Sequence, residues 1–265
     1  MTLPRLHLFE LEDQSWCPRM LRDYATDYLQ AIQDLYPIDE TLVEPLASLI
    51  EACGETRIVD LCSGAGGPVI GVCQALGKQG LKVEVTLTDF FPNVEAFEHA
   101  ARRHPAVRFE KRSIDAQAVP ANLEGVRTVF NGIHHFRPRQ VEAIFADAVR
   151  QGMPVGVFEM TKRSIPSVLG MLLSPLMVWI LTPKIRPFRW SRLLFTYLIP
   201  LVPLIVLWDG VVSQLRGYEP HEFEEMGKRA GPEYRWRSGR IQAGPVPITF
   251  LTGHPDPTGH PEEGP

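Results

Sequence analysis

The segment Arg57-Ile58-Val59-Asp60-Leu61-Cys62-Ser63-Gly64-Ala65-Gly66-Gly67 constrains this chain more than any other. An apolar run ends in an acid, passes through small residues, and enters a new apolar-periodic stretch at 69–76. That order describes a strand turning sharply into a helix, because Gly64, Gly66 and Gly67 reach backbone conformations that a Cβ forbids. The amides at the helix start then face a polar ligand. Any glycine-rich strand-to-helix turn looks similar, so the strands that follow decide its meaning.

The 265 residues suffice for one generous α/β domain, or for one domain with an insertion. A formal net charge of -4 and a pI near 6.1 argue against a nucleic-acid partner. Cys17, Cys53, Cys62 and Cys73 have no metal-ligand spacing, so no metal site is expected and the thiols read as reduced. Glu10, Glu12 and Asp13 leave no room for an export signal, which points to the cytoplasm.

Residues 15–52 read as helical, with Leu21, Tyr24, Tyr28, Leu29, Ile32 and Leu35 recurring at intervals near three and four. This part is expected to form an N-terminal helical cover over residues 1–52. Strands are expected at 57–60, 82–89, 107–111, 128–131 and 155–159, with helices at 69–76, 92–103 and 139–150 between them. Five strand–helix alternations call for a parallel sheet covered on both faces. A helix opening near Pro220 and ending at Gly231 precedes two more strands, at 234–241 and 247–252. Segments 53–161 and 210–253 thus make the main domain, and 254–265, rich in Pro, Gly and His, reads as a disordered tail.

Residues 162–209 stand apart. The runs 165–181 and 193–208 are almost wholly apolar and are separated by a stretch with Lys184, Arg186, Arg189 and Arg192. Each run, if helical, reaches ~25 Å, short of the ~30 Å hydrocarbon core of a bilayer. Pro166, Pro175, Pro200 and Pro203 interrupt them further. The reading is an apolar helical insertion that caps the sheet, touches a membrane surface, or does both. Burial of its apolar face in a homodimer is the competing arrangement.

Acids and small polar residues fall at successive strand ends: Asp60, Asp89, Asp115 and Asn131. In an open α/β sheet, ligands bind in the crevice at those ends. Asp89 suits two ribose hydroxyls, Asp115 with Ala116 the rim of an adenine ring, and Phe90 its face. Here the sequence resembles the class I S-adenosylmethionine-dependent methyltransferases, a resemblance covering most of the chain. Asp60 through Gly66 is similar to their first motif, acid-x-Gly-x-Gly-x-Gly. Thr88-Asp89-Phe90 is similar to the ribose-binding second motif, and Ser113-Ile114-Asp115-Ala116 to the adenine-contacting third. Phe130-Asn131-Gly132-Ile133-His134-His135-Phe136 resembles the fourth.

The resemblance implies a Rossmann-like, seven-stranded, mostly parallel sheet with an antiparallel last strand. It also implies S-adenosyl-L-methionine as cofactor and S-adenosyl-L-homocysteine as product. The implied cofactor contacts are Asp60, Cys62, Ser63, Gly64, Gly66, Asp89, Phe90, Asn93, Asp115, Ala116 and Asn131. One departure is Cys62, which stands at the family's first glycine and narrows the room beside the methionine portion. A dinucleotide-binding domain shares the glycine turn and the acid after the second strand, but its fingerprint does not include Asp60. Asp60 either faces an ammonium group or caps the helix, and Asp115 is a cofactor contact or a plain turn residue.

His134 and His135 follow the fourth strand, and either can act as general base or merely close the site. Glu159 either orients a histidine or pairs with Lys162 or Arg163. Tyr24 and Tyr28, on one helical face, are pocket walls or core. Trp208 and Asp209 lie at the pocket mouth, or Asp209 forms a structural pair with Arg216. The expected function is methyl transfer to a lipophilic or aromatic small molecule, at a hydroxyl if a histidine serves as base. Methylation of nitrogen or carbon in a small soluble substrate, and non-catalytic cofactor binding, are the alternatives.

Overall fold

The computed structural model describes residues 2–33, 35–36, 38–186 and 188–256. The chain runs through α1 (Arg19–Gln33), α2 (Ile38–Cys53), β1 (Arg57–Leu61), α3 (Gly67–Lys78), β2 (Glu84–Leu87) and α4 (Val94–Arg103). There follow β3 (Val107–Phe109), β4 (Val126–Phe130), α5 (Pro138–Arg150), β5 (Val155–Glu159), α6 (Ile165–Met171) and α7 (Ser174–Leu181). Last come α8 (Trp190–Leu193), α9 (Leu201–Arg216), α10 (Pro220–Ala230), β6 (Tyr234–Ala243) and β7 (Val246–Pro255). Two compact units form, one from 38–160 with 219–265 and a smaller one from 1–37 with 161–218.

The larger unit holds a seven-stranded sheet of order β3-β2-β1-β4-β5-β7-β6. The first five strands pair in parallel, and β7 lies antiparallel between β5 and β6. The expected seven-stranded architecture with an antiparallel last strand is therefore present. Every residue of β4 and β5 is buried, as fits central parallel strands covered on both faces. Strand order reverses between β1 and β4, and the crevice opens at their carboxyl ends.

Helix ends follow local chemistry. Asn93 Oδ1 accepts from the Ala96 amide at 3.2 Å and starts α4, whose last turn carries Arg102 and Arg103. A reciprocal Glu219–Glu222 cap with Pro220 in the first turn starts α10. Trp236 on β6 covers Gly227 of α10, and its indole N–H donates to the Gly231 carbonyl at 2.7 Å.

Three boundaries differ from the sequence reading. The buried face of α2, with Leu42, Leu46, Leu49 and Ile50, packs on α3 and β7, so the helix belongs to the larger unit and not to an N-terminal cover ending at 52. Helix α9 continues to Arg216, so the insertion ends at 218 and not at 209. His254 and Pro255 complete β7, and Asp256 pairs with Arg235 at 2.9 Å. The remainder of the expected tail, 257–265, lies outside the described residues.

In the smaller unit the two apolar runs are each broken. Pro166 and Pro175 sit in the first turns of α6 and α7, Pro200 caps α9, and Pro203 falls in its first turn. A missing N–H costs nothing at those positions, whereas further along it would remove a helical hydrogen bond. The pieces close on α1: Leu21, Tyr24, Ala25 and Tyr28 pack with Val178, Leu181, Val202, Ile205 and Val206 in one cluster.

Tyr24 and Tyr28 are thus core residues, and the Tyr24 hydroxyl meets Ser191 Oγ at 2.6 Å. Burial pushes the Tyr28 phenol up to about 12. Arg192 is buried, pairs with Asp27, and lies 5.2 Å from the centre of the Tyr24 ring.

The anticipated Asp209–Arg216 pair is replaced by contacts to the N-terminal segment. Asp209 accepts from the amides of Leu11 (2.6 Å) and Glu12 (3.0 Å), while Arg216 contacts Glu10 and Asp13, both at 3.1 Å. Burial first, then the nearby Glu10 and Asp13, raise the Asp209 carboxyl to about 6 against its two amide donors. Trp208 donates to the Phe9 carbonyl at 3.0 Å.

Candidate active site

Four loops at the carboxyl ends of β1, β2, β3 and β4 build the site in the larger unit. The β1 turn has an unusual backbone: φ is positive at Cys62 (58°), Gly64 (56°) and Gly66 (100°), with Ser63 and Ala65 between them outside that region. Such alternation curls consecutive amides toward one side, a concavity suited to acceptor groups. At Gly64 an added Cβ would meet open space, so it is φ that selects glycine there. At Gly66 the same Cβ would also stand 2.9 Å from Ile70 Cδ1. Cys62 holds the left-handed conformation without being glycine, which explains why the resembling enzymes place glycine at this point.

Asp60 lies beneath the turn at 2% exposure. Its Oδ2 accepts from Ser63 Oγ and its Oδ1 from Thr128 Oγ1, both at 2.7 Å. Desolvation raises this carboxyl to about 7 against the two hydroxyl donors. Ser63 Oγ also accepts from the Thr88 amide at 3.1 Å, and the Ser63 amide donates to the Thr88 carbonyl at 2.9 Å. The ends of β1 and β2 are thereby bound into one frame.

Asp89 closes that frame. Its Oδ2 accepts from the Gly64 amide at 2.9 Å and its Oδ1 from the Phe91 amide at 2.8 Å. Phe90 and Phe91 are exposed and meet edge to face with centroids 4.9 Å apart. The β3 loop is tied on by Ser113 Oγ donating to the Phe90 carbonyl (2.6 Å) and by the Ile114 amide donating to that of Asp89 (2.9 Å). Asp115 Oδ1 accepts from the Gln117 amide at 2.9 Å, an Asx turn that leaves Ala116 buried beside it. Asn93 caps α4, as described above.

The β4 loop carries the titratable pair. Asn131 is left-handed at φ 50°, tolerable for asparagine, and ties β4 to β5. Its amide donates to the Phe158 carbonyl (2.7 Å) and its Oδ1 accepts from the Met160 amide (3.3 Å). A single 3₁₀ turn, Ile133–His135, follows. Glu159, fully buried, accepts from the Ile133 amide through Oε1 and binds His134 Nδ1 through Oε2, both at 2.7 Å. His134 is buried and His135 exposed, with ring centroids 4.3 Å apart. The clamp selects the Nδ1–H tautomer of His134 and fixes the plane of its ring.

These carboxylates form one electrostatic unit. Burial first, and then Asp89, Asp60, Glu159 and Asp115, all push the Cys62 thiol upward. Asp60 and Asp89 hold the turn directly, and Asp115 and Glu159, from two further strand ends, are near enough for their charges to reach it. That arrangement favours a cationic ligand.

The sequence-derived residues Asp60, Cys62, Ser63, Gly64, Gly66, Asp89, Phe90, Asp115, Ala116, Asn131, His134 and Glu159 come together here. Tyr24, Tyr28, Trp208 and Asp209 belong to the smaller unit. Thr128 was missed, although it is a polar residue inside a buried strand and needed a partner. Phe91, 81% exposed beside Phe90, was missed as well.

No protein-family model matches the chain, and no curated protein resembles it in sequence. Solved structures do resemble it. The plantazolicin methyltransferase BpumL in complex with SAH aligns over 93% of this chain and 93% of its own at 10% identity, with a TM-score of 0.53. PigF with SAH aligns over 91% of this chain and 62% of its own at 14% identity and a TM-score of 0.52. The citrinin polyketide synthase CMeT domain gives a TM-score of 0.47 and 12% identity, over 75% of this chain. This chain spans 46% of that domain's length. With its sheet order, the chain has the fold of the class I S-adenosylmethionine-dependent methyltransferases.

Proposed function

We propose that this protein transfers a methyl group from S-adenosylmethionine to a hydroxyl of a lipophilic small molecule. The observation that carries the reading is the hydrogen-bonded frame at the carboxyl ends of β1 and β2, where Asp60 and Asp89 hold the left-handed turn Cys62–Gly66. When bound, S-adenosylmethionine supplies an activated methyl group on a sulfonium cation, and its ammonium group adds a second positive charge. An acidic crevice lined by turn amides fits that ligand, and the donor set is of the right kind. Asp89 accepts from ribose hydroxyls, Asp115 and Ala116 border the adenine, and Phe90 covers its face. Asp60 and the Cys62–Gly66 turn hold the aminoacyl end.

His134 is the general base of this reading. Glu159 fixes its ring through Nδ1 at 2.7 Å, so Nε2 takes the proton of the acceptor hydroxyl as the methyl group transfers. Glu159 is a positioning residue that also stabilises the imidazolium then formed. Most of the rate enhancement comes from alignment and exclusion of water. The lipophilic acceptor is supported by the apolar insertion at 165–208, whose composition suits a greasy substrate.

Calorimetry with S-adenosylmethionine, followed by an assay for S-adenosylhomocysteine release against apolar phenols and long-chain alcohols, tests the reading. Binding with turnover is the expected result; no binding overturns it. With an acceptor in hand, His134→Asn is expected to lower kcat by ~10²–10⁴-fold with cofactor affinity unchanged. Glu159→Gln is expected to lower kcat as well, by less than His134→Asn, because the ring stays in place but loses the carboxylate that orients it. Activity within threefold of wild type in His134→Asn removes the base role.

A further inference from the structure

The two broken helical runs of the smaller unit carry apolar residues on both sides, and the unit's own core uses only one. Val178 and Leu181 of α7, with Val202, Ile205 and Val206 of α9, face α1. On α6 and α7 a second stripe recurs at helical spacing through Ile165, Leu169, Leu172, Leu176 and Ile180, each between 45% and 57% exposed. On α8, the following π turn and α9 it recurs through Trp190, Leu194, Tyr197, Leu201, Leu204 and Trp208, all exposed. Among the described residues, sixteen of the twenty-five large exposed apolar side chains lie between Ile165 and Trp208. Monomeric proteins normally scatter such side chains, and their concentration in one stretch of chain marks an interaction surface.

We propose that this face is a docking surface for one leaflet of an anionic lipid bilayer. The inference stands on these observations alone and not on the methyl-transfer reading. The charge pattern selects the occupant. From 162 to 208 there are six basic residues and no Asp or Glu. Arg192 is held inside by Asp27, while Lys184, Arg186 and Arg189 are exposed in the connection between the two stripes. A second copy of the chain docking by the same face would bring its own basic residues against these, with no acid in the patch to pair them. Anionic headgroups supply the missing charge, and Trp179, Trp190 and Tyr197 suit the boundary between headgroups and acyl chains.

Shape agrees with shallow insertion. No single helix among the described residues is long and apolar enough to cross a bilayer, and the two helix pairs bend by 42° and 72° at their breaks. The breaks hold Leu172 and Leu173 in one pair and Ile199 and Pro200 in the other, and Leu198, which ends the helical turn before the second break, is 77% exposed. Apolar side chains at exposed bends enter a leaflet without crossing it.

Flotation of the full-length protein on phosphatidylcholine vesicles, with and without 30% phosphatidylglycerol, tests the proposal. The protein is expected to float with the anionic vesicles, and less so in 0.5 M salt. A basic side chain near the surface contributes roughly fivefold, so Lys184→Gln/Arg186→Gln/Arg189→Gln is expected to lose about a hundredfold in binding. Trp190→Ser/Leu198→Ser is expected to lose at least tenfold, with melting temperature and S-adenosylmethionine affinity unchanged. Those controls separate failure of docking from failure of the catalytic reading. Absence of flotation on anionic vesicles overturns the proposal. So does a solution dimer that Trp190→Ser/Leu198→Ser dissociates.

Discussion

Asp60 offers the sharpest test of the site's electrostatics. Its carboxyl is raised to about 7 by burial, despite hydroxyl donors on both oxygens. In the unfolded chain it returns to the ordinary value of about 4. Between those values the native state keeps a proton that the unfolded state has released, so stability falls as pH rises. This contribution is best below pH ~4, worsens to ~7, and is flat above. Three pH units at ~1.4 kcal/mol each give a total near 4 kcal/mol.

Asp60→Asn removes the charge and keeps the shape. The amide oxygen still accepts from Thr128, and the amide nitrogen donates to Ser63 Oγ. Urea unfolding of both proteins at pH 5, 6, 7 and 8 isolates the effect, because every other group, Asp209 included, is common to them. The stability of the variant relative to wild type should grow by ~3 kcal/mol from pH 5 to 7 and stay constant to pH 8. At pH 8 the variant should be the more stable protein and yet bind S-adenosylmethionine more weakly, since an amide does not neutralise an ammonium group. A difference independent of pH would show that Asp60 is ionised throughout, and the reasoning would fail.

Two further substitutions probe the backbone. Cys62→Gly relieves a left-handed non-glycine residue, a strain of ~1–2 kcal/mol partly offset by the entropy of glycine, so the melting temperature should rise by a few degrees. Should it fall, the packing of the thiol outweighs the strain. Gly253→Ala drives a Cβ into the Trp236 ring, which also covers Gly227. Overpacking of this kind costs ~1–3 kcal/mol in a thermal melt, and an unchanged melt would mean that the indole moves freely.

Much of the larger unit was legible because its signals are local. Strand 155–159 was read to the residue, and the acid at each strand end marked the crevice before any contact was known. Partnership across the sheet was not legible. Thr128 was an unremarked polar residue in an apolar strand, and only the register of β4 against β1 puts its hydroxyl on Asp60. The same limit hid the choice between the two histidines. Nothing in the spacing separates His134 from His135, and only the place of Glu159 on the neighbouring strand shows that it is the His134 ring that is held. Asp209 and Arg216 were matched by sequence proximity and opposite charge. Both instead engage the N-terminal segment some 200 residues away, a non-local pairing that no spacing rule supplies.

The insertion resisted the sequence for a different reason. Helical periodicity locates a core by contrast between an apolar face and a polar one. In α7 and α9 both faces are apolar, so the contrast vanishes and the direction of the core is undetermined by the sequence of those helices. It is α1 that resolves it, by placing Leu21, Tyr24 and Tyr28 against one face of the pair. The opposite face then keeps an apolar character that burial within the unit does not require. A soluble helix with its outer face in water loses little by exchanging leucine and tryptophan there for polar residues, so a fully apolar outer stripe beside uncompensated lysine and arginine needs a partner with the complementary properties. The feature that made these helices unreadable as core is therefore the one that makes them readable as a surface.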